Sequence, residues 1–331
     1  MNSWQYYAST LLVFWGVNTI AVWALNLQFG VAGIVNFAFI VFQSVGAYTA
    51  AVLTLGPASS SGYEHYVGGM NLPFPLPIIA GALAAALVSI PVGLLGLRRL
   101  RSDYQAMIML IVSLIATDLA SSQADLVNGA AGLFNIPQPL SDQLNLSQLD
   151  YQWFYVVLVA IVAAGVYLLV RWITSSPHGR VLRAIRDNPE TATAIGKNVT
   201  ANRMVVFVLG GAIAGLSGAL LASYISAWAP GSWLYPETFV YLAAVIVGGR
   251  GNNLGVLIGA LVVPGFGEVT RFFPQLVDPQ TAAAMEWIGI GVFMVVFLWF
   301  WPRGIVPERR HRFAKPTQPD VGQPASTAAR V

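Results

Sequence analysis

The sequence contains no cysteine, which excludes disulfides and thiolate metal sites and says little about compartment. Charge is scarce as well, with only 9 % of the 331 residues being Asp, Glu, Lys or Arg. The three histidines, His65, His178 and His311, all lie in polar segments. No histidine metal centre or catalytic triad is supported, and no catalytic residue or metal ligand is assigned. The first 30 residues carry no Lys or Arg. A cleavable signal peptide needs a positive n-region, so the first apolar segment is expected to stay in the mature chain. The net charge is +3, and no nucleic-acid partner is expected.

What the chain has instead is apolar length. It is 56 % hydrophobic, which excludes an ordinary soluble domain. One bilayer crossing takes about 20 apolar residues, and such runs recur at Tyr7–Leu27, Val31–Leu55, Pro77–Leu97, Tyr104–Ser121, Gln152–Trp172, Met204–Trp228, Leu254–Phe272 and Glu286–Trp301. A shorter run, Thr238–Val247, precedes a helix-breaking stretch, Gly248 to Asn253. It reads either as a span or as a re-entrant half-helix, the latter tolerated only where protein or water surrounds it. The expected fold is an all-α polytopic membrane protein, a bundle of about 8–9 transmembrane helices.

Positive charge orients the bundle. With the segment Arg171–Arg203 in the cytoplasm and nine crossings, sixteen of the 17 Lys and Arg residues fall inside, and only Arg271 lies outside. The N-terminus is then outside and the C-terminus cytoplasmic. Residues 1–307 read as one membrane domain. Residues 308–331, rich in Pro, Gln, Ser and Ala, read as a disordered cytoplasmic tail.

The Arg171–Arg203 segment holds six of the basic residues and is patterned as two short helices, Val181 to Arg186 and Glu190 to Ile195. Pro177-His178-Gly179-Arg180 is expected to turn the chain out of the preceding helix. Asn188-Pro189-Glu190 starts the second helix with Pro at its first position and a carboxylate at the positive end of the dipole, and Gly196 closes it. Charge and pattern alone fit an anionic-lipid-binding loop as well as a docking element.

Glu190-x-Ala192-x-x-x-Gly196 is similar to the Glu-Ala-Ala-x-x-x-Gly coupling-loop motif of ABC importer permeases, with Thr191 departing at its second position. The surrounding RVLRAIRDNPETATAIGKNV resembles the version in the branched-chain amino acid permease family. Leu25 to Gly33, continuing to Gly46-Ala47-Tyr48, resembles that family's first signature. Pro236-Glu237-Thr238 with Val247-Gly248-Gly249-Arg250-Gly251-Asn252 and Gly255 to Gly259 resembles its last. The similarity runs from about Leu25 to Pro307 in the family's order. The resemblance implies an ABC importer permease bundle whose cytoplasmic loop, residues 174–200, grips an ATPase through Arg180, Arg183, Arg186, Asp187, Glu190, Ala192 and Gly196. It also implies a homologous second permease, usually as a heterodimer, two cytoplasmic ATPases carrying ATP and Mg, and an extracytoplasmic solute-binding protein. The chain itself is expected to bind no cofactor. Gly248 to Asn252 lacks the Lys-Ser/Thr and the preceding strand of a phosphate-binding loop.

Two departures bear on the solute. Met107-Ile108-Met109-Leu110 and Asp118 replace a small-residue helix with an outer Glu or Arg. Val127-Asn128-Gly129-Ala130-Ala131-Gly132-Leu133 replaces Thr-Gly-Gly-x-x-Gly-Leu. Asn36 and Gln43, seven apart, are expected at nearly one azimuth of a single helix with Ala32, Gly33 and Gly46. There they either hydrogen-bond between helices or line a polar path, and Asp118 marks either an outer mouth or a helix end at the headgroups. Glu268 and Arg271 are expected to pair on one face, with Glu286 at the membrane interface. The expected function is the membrane-spanning subunit of an ATP-driven importer in the cell inner membrane, carrying a small polar solute. Branched-chain amino acids are the first candidate, and urea or short amides the near alternative. A secondary transporter or channel would need embedded coupling charges and symmetric broken helices, and a membrane-embedded enzyme a clustered catalytic set.

Overall fold

The structure, a computed structural model, describes residues 3–57, 65–97, 102–144, 146–270, 279–301 and 304–308. The Glu268–Arg271 pair, the Glu286 side chain, the arginines at 98–101 and the tail from 309 lie outside that description. In chain order the helices are α1 (Ser3–Leu25), continued by a π-helical turn (Asn26–Val31), α2 (Phe39–Thr54), α3 (Leu76–Leu97), α4 (Ser102–Ser122), the short α5 (Ala124–Val127) and α6 (Ser141–Leu144), α7 (Gln148–Ser175), α8 (Pro177–Asp187), α9 (Pro189–Ala194), α10 (Val199–Ile225), α11 (Tyr235–Gly248), α12 (Asn253–Thr270) and α13 (Pro279–Phe300). Among the described residues no strand forms, only the isolated bridges Tyr66–Val127 and Leu133–Trp228.

Five helical stretches are long and apolar enough to cross a membrane: Trp4–Val31, Leu76–Leu97, Tyr104–Ser122, Gln148–Ser175 and Val199–Ile225. Three of them, α3, α4 and α7, leave large apolar side chains such as Leu87, Ile115 and Ile161 on the outside, the surface expected against hydrocarbon. At the centre, α10 packs against α2 and α3. Small residues permit this, since bundles in lipid are held by close packing. A Cβ on Gly46 would lie 2.1 Å from the Gly215 carbonyl oxygen, and one on Gly218 would lie 1.8 Å from that of Gln43.

The apolar run Val31–Leu55 does not form one helix, contrary to the expectation that placed Asn36 and Gln43 at one azimuth. The backbone leaves the helix at Ala32 and re-enters at Phe39. Gly33 takes φ +69°, and the Asn36 side-chain oxygen accepts the Ala38 N–H at 3.0 Å. That local side-chain bond satisfies the backbone outside a helix.

The short run is a helix of 14 residues, roughly 21 Å at 1.5 Å per residue against about 30 Å of hydrocarbon. Even so, α11 joins the two ends of the bundle. Glu237 borders a cavity beside Trp228 at one end. At the other, the Val247 and Gly248 carbonyls accept the N–H groups of Ile305 and Val306 at 2.8 and 3.1 Å. Gly249 to Asn252 separates it from α12.

Candidate functional site

The two-helix loop between α7 and α10 is capped at every junction. Ser176 accepts the Gly179 N–H at 3.3 Å with Pro177 at the first helical position. Asn188 accepts the Thr191 N–H at 3.0 Å with Pro189 in the same place. Asn198 accepts the Ala201 N–H at 2.9 Å to start α10. Each is a side-chain oxygen taking an orphan donor of a first turn, and the two prolines occupy a position that needs no N–H. The first helix therefore begins at Pro177 rather than Val181. The expected turn at 177–180 is its first turn, and Gly179 lets it sit tightly under α7, where a Cβ would meet the Thr174 carbonyl oxygen at 2.4 Å.

Helix α9 ends as the sequence suggests. The Gly196 N–H donates to Thr193 O at 2.9 Å and the Lys197 N–H to Ala192 O at 3.0 Å, the paired bonds of a Schellman motif. Gly196 takes φ +80°, and a Cβ there would touch nothing within 4 Å. The glycine serves the backbone, and the space beside it is open.

The predicted loop residues divide by face. Leu182, Ile185 and Ala192 are buried, at 2 % exposure or less, and Leu182 joins the core of the bundle. Arg180, Asp187, Glu190 and Gly196 are exposed. Ile195, which sequence reasoning passed over, is 67 % exposed among polar neighbours. Its signal was present in the sequence, as the apolar residue immediately before the closing glycine. The outward surface is thus a capped, rigid knob with an apolar tip and charges on its flanks.

Arg186 turns the other way. Its side chain is 11 % exposed, against 71 % for Asp187 beside it. Nη1 donates to the Gly30 carbonyl, Nη2 to Glu308 Oε2 at 2.9 Å, and Nε to Asp187 Oδ1 at 3.2 Å. Arg183 lies 3.9 Å from the other Glu308 oxygen and donates to Thr174 O at 3.0 Å. Glu308 was assigned to the tail by composition, and nothing local in the sequence announces its partners.

The signature stretch Gly248 to Asn252 forms the neighbouring turn and packs on this cluster. Arg250 sits 4.8 Å from the Phe29 ring centre, within cation–π range. Burial, and then the positive charge of Arg186, pull its guanidinium below its ordinary range, with Asp187 and Glu308 opposing. The Gly251 N–H donates to Asn26 Oδ1 at 2.9 Å, and Asn26 Nδ2 donates to Asn253 Oδ1 at 3.1 Å. The side-chain oxygen of Asn252 accepts the N–H groups of Leu254 and Gly255 at 3.0 and 3.3 Å. These groups are spent on one another, which is bracing chemistry.

The candidate path residues do not converge. Asn36 donates to Gln28 Oε1 at 2.8 Å, and Gln28 donates to Phe207 O at 2.9 Å, so Asn36 ties the break before α2 to α10. Gln43 donates to the Tyr241 hydroxyl at 3.2 Å, which in turn donates to Asn18 Oδ1 at 3.3 Å. That chain borders a cavity of 410 Å3, lined also by Phe14, Trp228 and Glu237. Asp118 is exposed on α4, apart from both. Among the described residues no group of His, Asp and Glu is placed to hold a metal.

Comparison with known proteins adds a broader frame. The family described as "Branched-chain amino acid transport system / permease component" matches residues 7–298. The chain is 26 % identical to the "Probable branched-chain amino acid transport permease protein LivM" of Methanocaldococcus jannaschii, over 91 % of this chain and 93 % of that one. It is 25 % identical to the "High-affinity branched-chain amino acid transport system permease protein LivM" of Salmonella typhimurium, over 86 % of this chain and 67 % of the other. A "Nucleoside ABC transporter permease protein NupC" of Lactococcus lactis is 27 % identical over 74 % of this chain and 80 % of its own. No solved structure matches this chain.

Proposed function

Because the chain belongs to the family of branched-chain amino acid transport permease components, being an ABC permease subunit, we propose that its cargo is branched-chain amino acids. The two similar proteins named for that solute align over most of this chain, and this supports the assignment. The nucleoside permease supplies the competing reading of a nucleoside carrier. Urea and short amides complete the set to be tested.

The single observation that carries the mechanism is the capped knob of α8 and α9, whose Ile195 tip is exposed while Leu182 anchors it in the core of the bundle. In our reading two cytoplasmic ATPases, holding ATP and Mg, dock on that knob. Their closure moves it as a rigid body, and the membrane helices answer by opening the path to the other face. A second, homologous permease completes a heterodimer, and an extracytoplasmic binding protein delivers solute. The knob lies with Gly30 to Gly33, Gly249 to Asn252 and Glu308 at one end of the bundle. That grouping supports a topology with this end and the C-terminus in the cytoplasm and the N-terminus outside, in the inner membrane.

The test is uptake into proteoliposomes holding the permease pair, its ATPases and the binding protein. Internal ATP should drive accumulation of labelled leucine, isoleucine or valine, and omission of ATP should abolish it. ATP-driven uptake of a nucleoside or urea, with the branched-chain amino acids inert, would overturn the cargo. Uptake that needs no ATP would overturn the machine.

A further inference from the structure

Arg186 has an environment unlike that of any other charged side chain described in the loop. The π-helical turn closing the first helix stops at Val31; its Leu27 and Gln28 carbonyls accept the N–H groups of Ala32 and Ile34, and the carbonyls beyond them need partners from outside the helix. Arg186 supplies one, through Nη1 to Gly30 O, and places a cation at the negative end of a long helix. The approach is close enough that a Cβ on Gly33 would lie 2.9 Å from Arg186 Cγ. The same guanidinium holds Glu308 through Nη2. Glu308 in turn ends a strap that is bonded into the membrane domain. Ile305 and Val306 donate to the carbonyls of Val247 and Gly248, and Asn252 Nδ2 donates to Pro307 O at 3.3 Å.

One side chain on α8 is therefore bonded to the end of α1 and, through the strap, to the end of α11. These helices meet in the bundle, where α1 packs on α7, α10, α11 and α12. Leu182 also packs into the core of the bundle, but apolar contacts are non-directional and do not by themselves set the orientation of α8. A planar guanidinium using three nitrogens on three oxygens fixes orientation, and lysine cannot reproduce that fork.

We infer that Arg186 and Glu308 form the linkage that transmits displacement of the two-helix knob to the first helix and to α11, and that they take no part in gripping the ATPase. The inference rests on the ATPase-driven reading above. Arg186 is a positioning residue, and Glu308 makes the C-terminal strap part of the coupling device.

The experiment compares wild type, Arg186→Lys and Glu308→Gln in the full chain, reconstituted with all partners. Three readouts are taken: the amount of ATPase that co-purifies with the permease, ATP hydrolysed, and solute accumulated. In both variants the bound ATPase and its hydrolysis should stay within about twofold of wild type, while solute moved per ATP falls about tenfold, the scale of losing one charge-assisted hydrogen bond. Unchanged solute per ATP in both variants would overturn the inference. Equal loss of bound ATPase and uptake would also overturn it, by making the pair a docking contact. Failure of both variants to accumulate in the membrane would overturn it too, by making the pair a folding brace. Wild type that transports without ATP would instead remove the parent reading, an outcome visible before any variant is measured.

Discussion

At the scale of single residues, Gly196 separates a conformational requirement from a proposed docking role. Gly196 is in the left-handed region with open space around it. A side chain there costs the knob about 1–2 kcal/mol of backbone strain but collides with nothing in the chain itself. Gly196→Glu should therefore reach the membrane in normal amount, as membrane-fraction blotting would report. ATP-dependent uptake should be abolished if the knob docks an ATPase as proposed, because the added carboxylate would project from that surface. Normal uptake in that variant would remove Gly196 from the docking face. The Glu190, Ala192 and Gly196 pattern was legible because caps and left-handed closures have local residue requirements. Arg186 was legible only as one of the loop residues expected to grip an ATPase. Its inward direction depends on a glycine 156 positions earlier and a glutamate 122 positions later, and no local pattern records such distances. Asn36 and Gln43 read correctly as buried amides. Their separation into two unrelated hydrogen-bond chains depended on a helix break between Val31 and Phe39, which hydropathy smooths over because Ala32 to Ala38 is mostly apolar.

At the scale of elements, the helices follow from apolar length and their junctions from capping chemistry. That is why most of the spans could be read from sequence, while two boundaries could not. The start of α8 was missed because Pro177 and Gly179 look like a turn until Ser176 is seen as their cap. The start of α2 was missed because Gly33 and Asn36 act through φ and a side-chain bond, both invisible to hydropathy. The α2–α3–α10 centre makes the clearest element-scale prediction. Gly218→Val would drive a side chain into the Gln43 backbone, with even its Cβ at 1.8 Å. Helix α2 cannot yield without losing the Gly46–Gly215 contact. Overpacking of this kind costs about 1–3 kcal/mol, so the detergent-solubilised variant should lose structure at a lower temperature than wild type, followed by tryptophan fluorescence or precipitation. An unchanged transition would mean that α10 and α2 are further apart than described.

At the scale of the whole molecule, the described residues sort into a bundle with two unlike ends. One end carries the knob, the glycine turns at 30–33 and 249–251, and Glu308, knit by charge-assisted bonds. The other carries the cavity beside Gln43 and Tyr241, covered by the segments around Leu133 and Trp228, which pair with each other. On the function proposed above, the polar linkages lie at the end where an ATPase would push, and the cavity, lined by Asn18, Gln43, Glu237 and Tyr241 beside apolar residues, lies at the other.

Whether an ATPase docks on the α8–α9 knob, as proposed, is directly measurable because the sequence has no cysteine. A single Ile195→Cys substitution gives the exposed tip of the knob a unique thiol, and His65→Cys does the same at the exposed opposite end of the bundle. Each variant, co-expressed with its ATPases and labelled with a short photoactivatable maleimide, is illuminated and resolved by mass. The ATPase subunit should be captured from position 195 and not from position 65. Capture from position 65 alone, or from neither in a complex that still performs ATP-driven uptake, would contradict the proposed docking.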